Sequence, residues 1–178
     1  NDDFNGPDQE GAGLYQVTQF WDGPNRGHRC SAAAAYLHPH IEARANLTIV
    51  TKAQATGVTF DGDRASGIRY RKGRAEHEAR ARREVIVSAG AFGSPQLLLL
   101  SGIGRREELD AHGIKVRHEL PGVGRNLQDH LDFVAIWKSR DTDMIGLGAR
   151  GLIGLGRHLR QWKRDGSGLI ATPAAEAG

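Results

Sequence analysis

The sequence predicts a mixed fold, α+β passing into α/β, and three observations carry that expectation. Short alternating segments separated by turn residues over 46–81 predict an antiparallel β-meander. A wholly apolar stretch, Val85-Ile86-Val87, runs into Ser88-Ala89-Gly90 and then a helix, as a strand buried on both faces does. Residues 152–163 place Ile153, Leu155, Leu159 and Trp162 largely on one helical face.

Taken in order, residues 13–20 alternate apolar and polar side chains and predict a strand, closed by the turn Asp22-Gly23-Pro24-Asn25. Ser31 is suited to cap a helix over residues 32–37, which alanines favour and Pro39 distorts or ends. Strands are expected at 47–51, 53–60, 67–71 and 77–81, with turns at Asp61-Gly62-Asp63 and Lys72-Gly73. The aspartates of the first turn lack the remaining ligands and closing Glu of a calcium loop. After residue 90, Ser94 and Pro95 predict a helix start, Leu97–Leu100 its buried turns and Gly102 its stop. A short helix over 106–112 ends at Gly113, and a strand is expected near 133–138.

Composition narrows the function classes. Hydrophobic residues make up 39% and charged residues 25% of the 178, which argues against wholesale disorder. The longest apolar run is far too short to cross a bilayer, and no basic-then-apolar leader opens the chain. Cys30 is the only cysteine, so no internal disulfide can form and a reducing compartment fits. The net charge of +3 is concentrated over 69–83, but glutamates interleave with the arginines and only Tyr70 stands among them. That is the pattern of a solvated hairpin rather than a nucleic-acid surface.

The strand–Gly–helix unit at residues 85–100 is where chemistry is expected. A strand ending in Ala-Gly brings backbone close to a bound dinucleotide, and a helix start offers free N–H groups to negative charge. Alone this is a weak signal, since many such units are purely structural.

The longer string from Gly90 through Ser94-Pro95-Gln96-Leu97-Leu98-Leu99-Leu100-Ser101-Gly102-Ile103-Gly104 resembles the second signature of the glucose-methanol-choline (GMC) oxidoreductases. Leu120-Pro121-Gly122-Val123-Gly124-Arg125-Asn126-Leu127-Gln128-Asp129-His130 follows at that family's distance. Phe4-Asn5-Gly6, Gln9-Glu10-Gly11, Arg29-Cys30-Ser31-Ala32-Ala33 and Ala35-Tyr36-Leu37 are also similar to it, and to its bacterial choline and alkanol dehydrogenase branches. The resemblance weakens after about Trp137.

This resemblance implies an FAD-dependent enzyme that oxidises a primary alcohol by hydride transfer to flavin. It implies part of a Rossmann-like FAD-binding domain at 46–130. A substrate-domain strand and connecting helix fall at 1–45, and the start of a substrate-binding domain at 131–178. Ala55 would set its backbone against the adenine, where the family usually has Val, and Ala89 and Gly90 would line the FAD site. Asn126, Asp129 and His130 would lie where the chain leaves the FAD domain near the flavin, although Asp129 and His130 equally suit a structural hydrogen-bonded pair. The family's first phosphate-binding turn and its catalytic His correspond to no part of this sequence. With an Asn start, the chain therefore reads as an internal segment that is inactive alone, whose partners are an alcohol substrate and the rest of the enzyme. The resemblance suggests the cytoplasm or the periphery of the inner membrane. Two other readings stay open: a non-catalytic module on the same scaffold, and an NAD-binding domain.

The NAD reading rests on Gly146-Leu147-Gly148-Ala149-Arg150-Gly151, which matches G-x-G-x-x-G. Arg140-Asp141-Thr142-Asp143 intervenes where a strand should run into the first Gly, and Asp165 sits in a turn after a helix. A glycine loop is the better expectation. His28, His38 and His40 show no metal-ligand spacing, and Ser94 has no triad context. None of the eight histidines is expected to be a catalytic base.

Overall fold

A computed structural model describes residues 3, 6–7, 10–14, 16–131, 133 and 148–172, in two units: residues 49–134, and residues 1–48 with 135–178. The first unit is built on the expected meander. Strands β1 (Ala53–Asp61), β2 (Arg64–Lys72) and β3 (Ala75–Arg80) form an antiparallel sheet in that order. The Asp61↔Arg64 and Lys72↔Ala75 pairs leave two-residue loops, Gly62-Asp63 and Gly73-Arg74. Gly62 and Gly73 take φ +56° and +62°, the left-handed first position that tight hairpins require and glycine adopts without steric cost. Arg69 faces Glu78 and Arg71 faces Glu76 across β2 and β3, and every residue of β3 is exposed, so the charge-rich stretch is a solvated hairpin as expected.

Helix α1 (Gly90–Leu100) packs on β1, followed by β4 (Ile103–Gly104), α2 (Arg106–Ala111) and β5 (His118–Glu119). Strands β4 and β5 pair in parallel. Among the described residues the buried apolar side chains are Val58, Leu97, Leu109 and Val123, one each from β1, α1, α2 and the loop after β5. The helix stops fall as expected: Gly102 and Gly113 follow α1 and α2 with φ +80° and +65°.

Three expectations in this unit need correction. Helix α1 begins at Gly90, five residues before Pro95, because Gly90 at φ +80° turns the chain directly from extended into helical. Ser94 still caps, but from inside the first turns, where its Oγ accepts the Ala89 N–H at 3.0 Å. Residues 85–87 are not a strand buried on both faces: they form no ladder among the described residues, and Ile86 is 78% exposed. Apolar composition alone cannot supply the neighbouring strands such a segment needs. Residues 47–51 likewise form no strand, and Ile49 and Val50 are exposed.

In the other unit, residues 13–20 form only one described bridge to a later segment, Gln19↔Arg29, with Phe20 N–H donating to the His28 carbonyl and Cys30 N–H to the Thr18 carbonyl. In the earlier half of the expected strand Leu14 lies in an isolated bridge, and Leu14 and Val17 are exposed. Ser31 caps as expected, its Oγ accepting the Ala34 N–H. The helix it starts widens to π form over Ala33–Leu37 before tightening to 3₁₀ form over His38–His40. Pro39 has no N–H to return to residue 35, which accounts for the break in α-helical register.

Helix α3 (Ala149–Asp165) ends on Gly166 in the left-handed region. It is seated by its far end: Trp162 Nε1 donates to the Gly27 carbonyl, the Trp162 and His28 rings lie 4.7 Å apart, and Gln19 Nε2 donates to the Ala171 carbonyl just beyond. Gly151, Gly154, His158, Gln161 and Trp162 make up its half-buried face. Of the apolar face expected from the sequence only Trp162 lies there, and Ile153, Leu155 and Leu159 are exposed. The strand expected near 133–138 lies, apart from Phe133, outside the described residues. Among the described residues no helix is long and apolar enough to cross a membrane.

Candidate functional site

The site is best built from α1 outward. By helix geometry, the first N–H groups from Gly90 onward have no partner within the helix and carry its positive dipole end. The corrected start therefore moves this donor cluster from Pro95 to Gly90 and the residues just after it, the Ala89 N–H being taken by Ser94 Oγ. A Cβ built on Gly90 meets no atom within 4 Å, and the residue's φ is one that L side chains rarely adopt. Open space in front of a backbone turn, next to free donors, is what a bound pyrophosphate or ribose edge needs.

Beside it runs a cleft of about 420 Å³ lined by Ala91, Phe92, Pro95, Leu99, Gly124 and Leu127, with Gln96 and Arg125 as its polar members. Its size and apolar character, with few polar groups, suit a ring system of a small organic ligand. The far wall is the 120–127 loop, hung on β4 by the Leu120 N–H to Gly104 carbonyl bond and tied to α2 by an Arg125–Glu108 ion pair. Asn126 takes φ +56° there, unusual for a residue other than glycine.

The sequence-derived candidates separate on this geometry. Residues on either side of Asn126, and Ala91 next to Gly90, line the same cleft, while Ala89, Gly90 and Asn126 are not themselves among its lining residues. Ala55 lies exposed on β1, outside the cleft lining. Asp129 and His130 are exposed and lie outside the lining too. Asp129 Oδ1 accepts the His130 backbone N–H at 2.8 Å, so the bond between them uses the main chain and not the imidazole.

Sequence reasoning missed Ser101. Its Oγ accepts the Val58 N–H at 2.8 Å and donates to the Leu97 carbonyl at 2.6 Å, joining the end of α1 to β1. A serine just past a leucine-rich helix signals only a helix end, and nothing local to it points to a strand 43 residues earlier.

The glycine loop fares differently. Gly148 is the N-cap of α3 in extended geometry and Gly151 lies inside the helix, while Gly146 is outside the described residues. Asp165 closes the helix, accepting from Ser167 N–H and Oγ and from Arg164. Those bonds, the Ser167 hydroxyl foremost, hold its carboxyl down at about 2. It is a helix-end carboxylate, as the turn reading expected. Among the described residues no group of three or more His, Cys, Asp or Glu is arranged to hold a metal.

A glycine turn from extended chain into helix, opening on free space beside an apolar cleft bordered by a second glycine-rich loop, fits part of an α/β scaffold. The chain belongs to the GMC oxidoreductase family, whose model matches residues 1–132. It is 43% identical over its whole length to the alcohol dehydrogenase [acceptor] of Pseudomonas putida, covering 32% of that protein. It is 40% identical over 99% of its length to the oxygen-dependent choline dehydrogenase of Pectobacterium atrosepticum, covering 31%. Among solved structures, an FAD-dependent oxidoreductase from Chaetomium thermophilum aligns with 79% of the chain and 25% of its own, with a TM-score of 0.63 and 25% identity. The chain thus spans about a third of the length of these curated relatives.

Proposed function

We propose that this chain is part of an FAD-dependent oxidoreductase that oxidises a primary alcohol, and that its own task is to shape the FAD site. The observation that carries the reading is Gly90: a left-handed glycine at the start of α1, facing open space, within a segment similar to flavin-enzyme relatives. Unit 49–134 is then the cofactor-binding part, and the other unit belongs to the substrate-binding part. When bound, FAD accepts the hydride released from the CH–OH carbon.

The chain's residues have narrower tasks. The N–H groups at Gly90 and beyond stabilise negative charge on the cofactor through the helix dipole. Phe92, Pro95, Leu99 and Leu127 offer an apolar wall that excludes water from a ring. The β1 backbone at Ala55 offers main-chain polar groups to the adenine, so Ala suffices where a larger side chain is usual. Asn126 holds the loop that closes the cleft, and Asp129 and His130 continue it toward the flavin. The same reading assigns the protein to the cytoplasm or the periphery of the inner membrane, and the lone Cys30 suits a reducing compartment.

Purifying the full-length protein and denaturing it tests the reading. Release of FAD in one-to-one amount is expected, and anaerobic addition of a primary alkanol or of choline should bleach the bound flavin. A protein that releases no flavin, or releases NAD, would overturn it.

A further inference from the structure

We propose that Ser101 is a positioning residue for the cofactor, acting as the joint that sets β1 against α1. This rests on the FAD reading above, because the two elements it joins carry Ala55 on one side and Ala89 and Gly90 on the other.

The joint is made by three local features. Strand β1 slips register between Ala55↔Tyr70 and Gly57↔Arg69, so Thr56 is an extra residue, a β-bulge. Among the described residues β1 pairs only with β2, so its other edge has no strand to bond. The Ser101 hydroxyl takes up the Val58 N–H two residues past the bulge, at 2.8 Å, while passing its own hydrogen to the Leu97 carbonyl at 2.6 Å. One oxygen thus satisfies an edge donor and gives a second hydrogen bond to the Leu97 carbonyl, which also accepts the Ser101 backbone N–H at 3.1 Å.

Packing does not fix this angle by itself. The joint borders an open cavity of about 440 Å³ lined by Val58, Thr59, Leu100, Ser101 and Gly102 among others. Val58 and Leu97 supply the buried apolar contact of β1 and α1, and the Ser101 hydroxyl adds the side-chain hydrogen bond from the end of α1 to β1. The lever is long. Gly90 lies 11 helical residues from Ser101, roughly 16 Å at ~1.5 Å per residue, so a rotation of about 10° at the joint displaces the donor cluster by roughly 3 Å. That is about the length of a hydrogen bond, enough to take the N–H groups out of reach of a phosphate oxygen.

The experiment compares Ser101→Ala, Ser101→Thr and Ser101→Cys in the full-length protein. FAD affinity of the deflavinated protein is measured well below its melting temperature, with amide exchange at Val58 as an independent readout. Ser101→Ala should raise the FAD Kd at least ten-fold and expose the Val58 amide. Ser101→Thr, which restores the hydroxyl, should return the Kd to within about three-fold of wild type. Should the alanine variant fail to fold, Ser101→Cys, close in shape and a poor acceptor, takes its place with the same expectation. Wild-type affinity in a folded variant lacking the hydroxyl overturns the proposal, and so does a threonine variant as weak as alanine. A wild-type protein with no affinity for FAD instead overturns the parent reading, and the two failures are distinct.

Discussion

Gly90 concentrates the argument at the scale of one residue. Its φ of +80° and the empty space before its Cα give two separate reasons against a side chain, one conformational and one steric. The conformational penalty of roughly 1–2 kcal/mol for an L-residue in that region is survivable. The steric one is not survivable for a ligand that occupies the space. Gly90→Val in the full-length protein should therefore abolish flavin retention and leave the meander folded, measured as flavin per protein against far-UV circular dichroism. Full flavin content in that variant would remove Gly90 from the site. Gly148 supplies the contrast: it is an N-cap with φ −78° and open space around its Cα, so alanine fits. Gly148→Ala should leave flavin content unchanged and cost helix α3 roughly 0.5–1 kcal/mol. His130 belongs with the modest cases. Exposed and joined to Asp129 through its backbone, it is placed to support the loop, so His130→Ala should lower turnover by no more than about ten-fold, the ~1.4 kcal/mol scale of a lost positioning contact. Elimination of flavin reduction with FAD still bound would make it the base.

Among the elements, legibility follows how local the determining physics is. The meander was readable because alternation and turn glycines act within a few residues, and β1, β2 and β3 fall close to the expected positions. Helix stops at Gly102 and Gly113 were readable for the same reason. The start of α1 was not, because Ser94-Pro95 is a strong local start signal and the glycine five residues earlier provides a left-handed turn that overrides it. Strand pairing at 47–51 and 85–87 was not readable either, since it depends on neighbours that those residues do not encode. Helix α3 shows the local case at its end. Asp165 accepts from Ser167 and Arg164, which places its carboxyl at about 2, below the ordinary 3.8. A depressed carboxylate stabilises the fold above its unfolded pKa and loses that contribution as pH falls through the folded value. The turn over residues 165–167 should thus be fully held above about pH 4 and released as pH drops toward 2. Asp165→Asn should lower helicity and thermal stability near neutral pH, and its difference from wild type should shrink as pH falls below about 4 and vanish only below about 2. An unchanged gap at low pH would show that the carboxylate charge is not what the turn uses. Solvent around the carboxylate screens these interactions and keeps the effect small.

For the molecule as a whole, the decisive quantity is how little apolar surface the described residues remove from water. Unit 49–134 buries Val58, Leu97, Leu109 and Val123, whereas Ile86, Phe92, Leu127, Leu131 and Phe133 stay mostly exposed, Leu131 fully so. Each exposed side chain forgoes roughly 1.5–3 kcal/mol that burial would contribute. Set against the conformational entropy of ordering the chain, that loss leaves a narrow margin. The exposed residues also flank the candidate site: Phe92 and Leu127 line its cleft and Ile86 precedes Gly90. Whatever covers them would at once stabilise the unit and complete the binding surface, so stability and cofactor affinity should rise or fall together. The 178-residue chain studied alone should therefore melt at low temperature with a broad transition and bind a hydrophobic dye. It should take up FAD weakly or not at all, because one helix start and one cleft wall make too few contacts to offset the ordering of a large flexible cofactor. Titration calorimetry together with dye fluorescence decides it. Stoichiometric micromolar FAD binding by the isolated chain would show that residues 49–134 already hold a complete site. Sharp melting without dye binding would show that the exposed leucines and phenylalanines find partners within the chain itself.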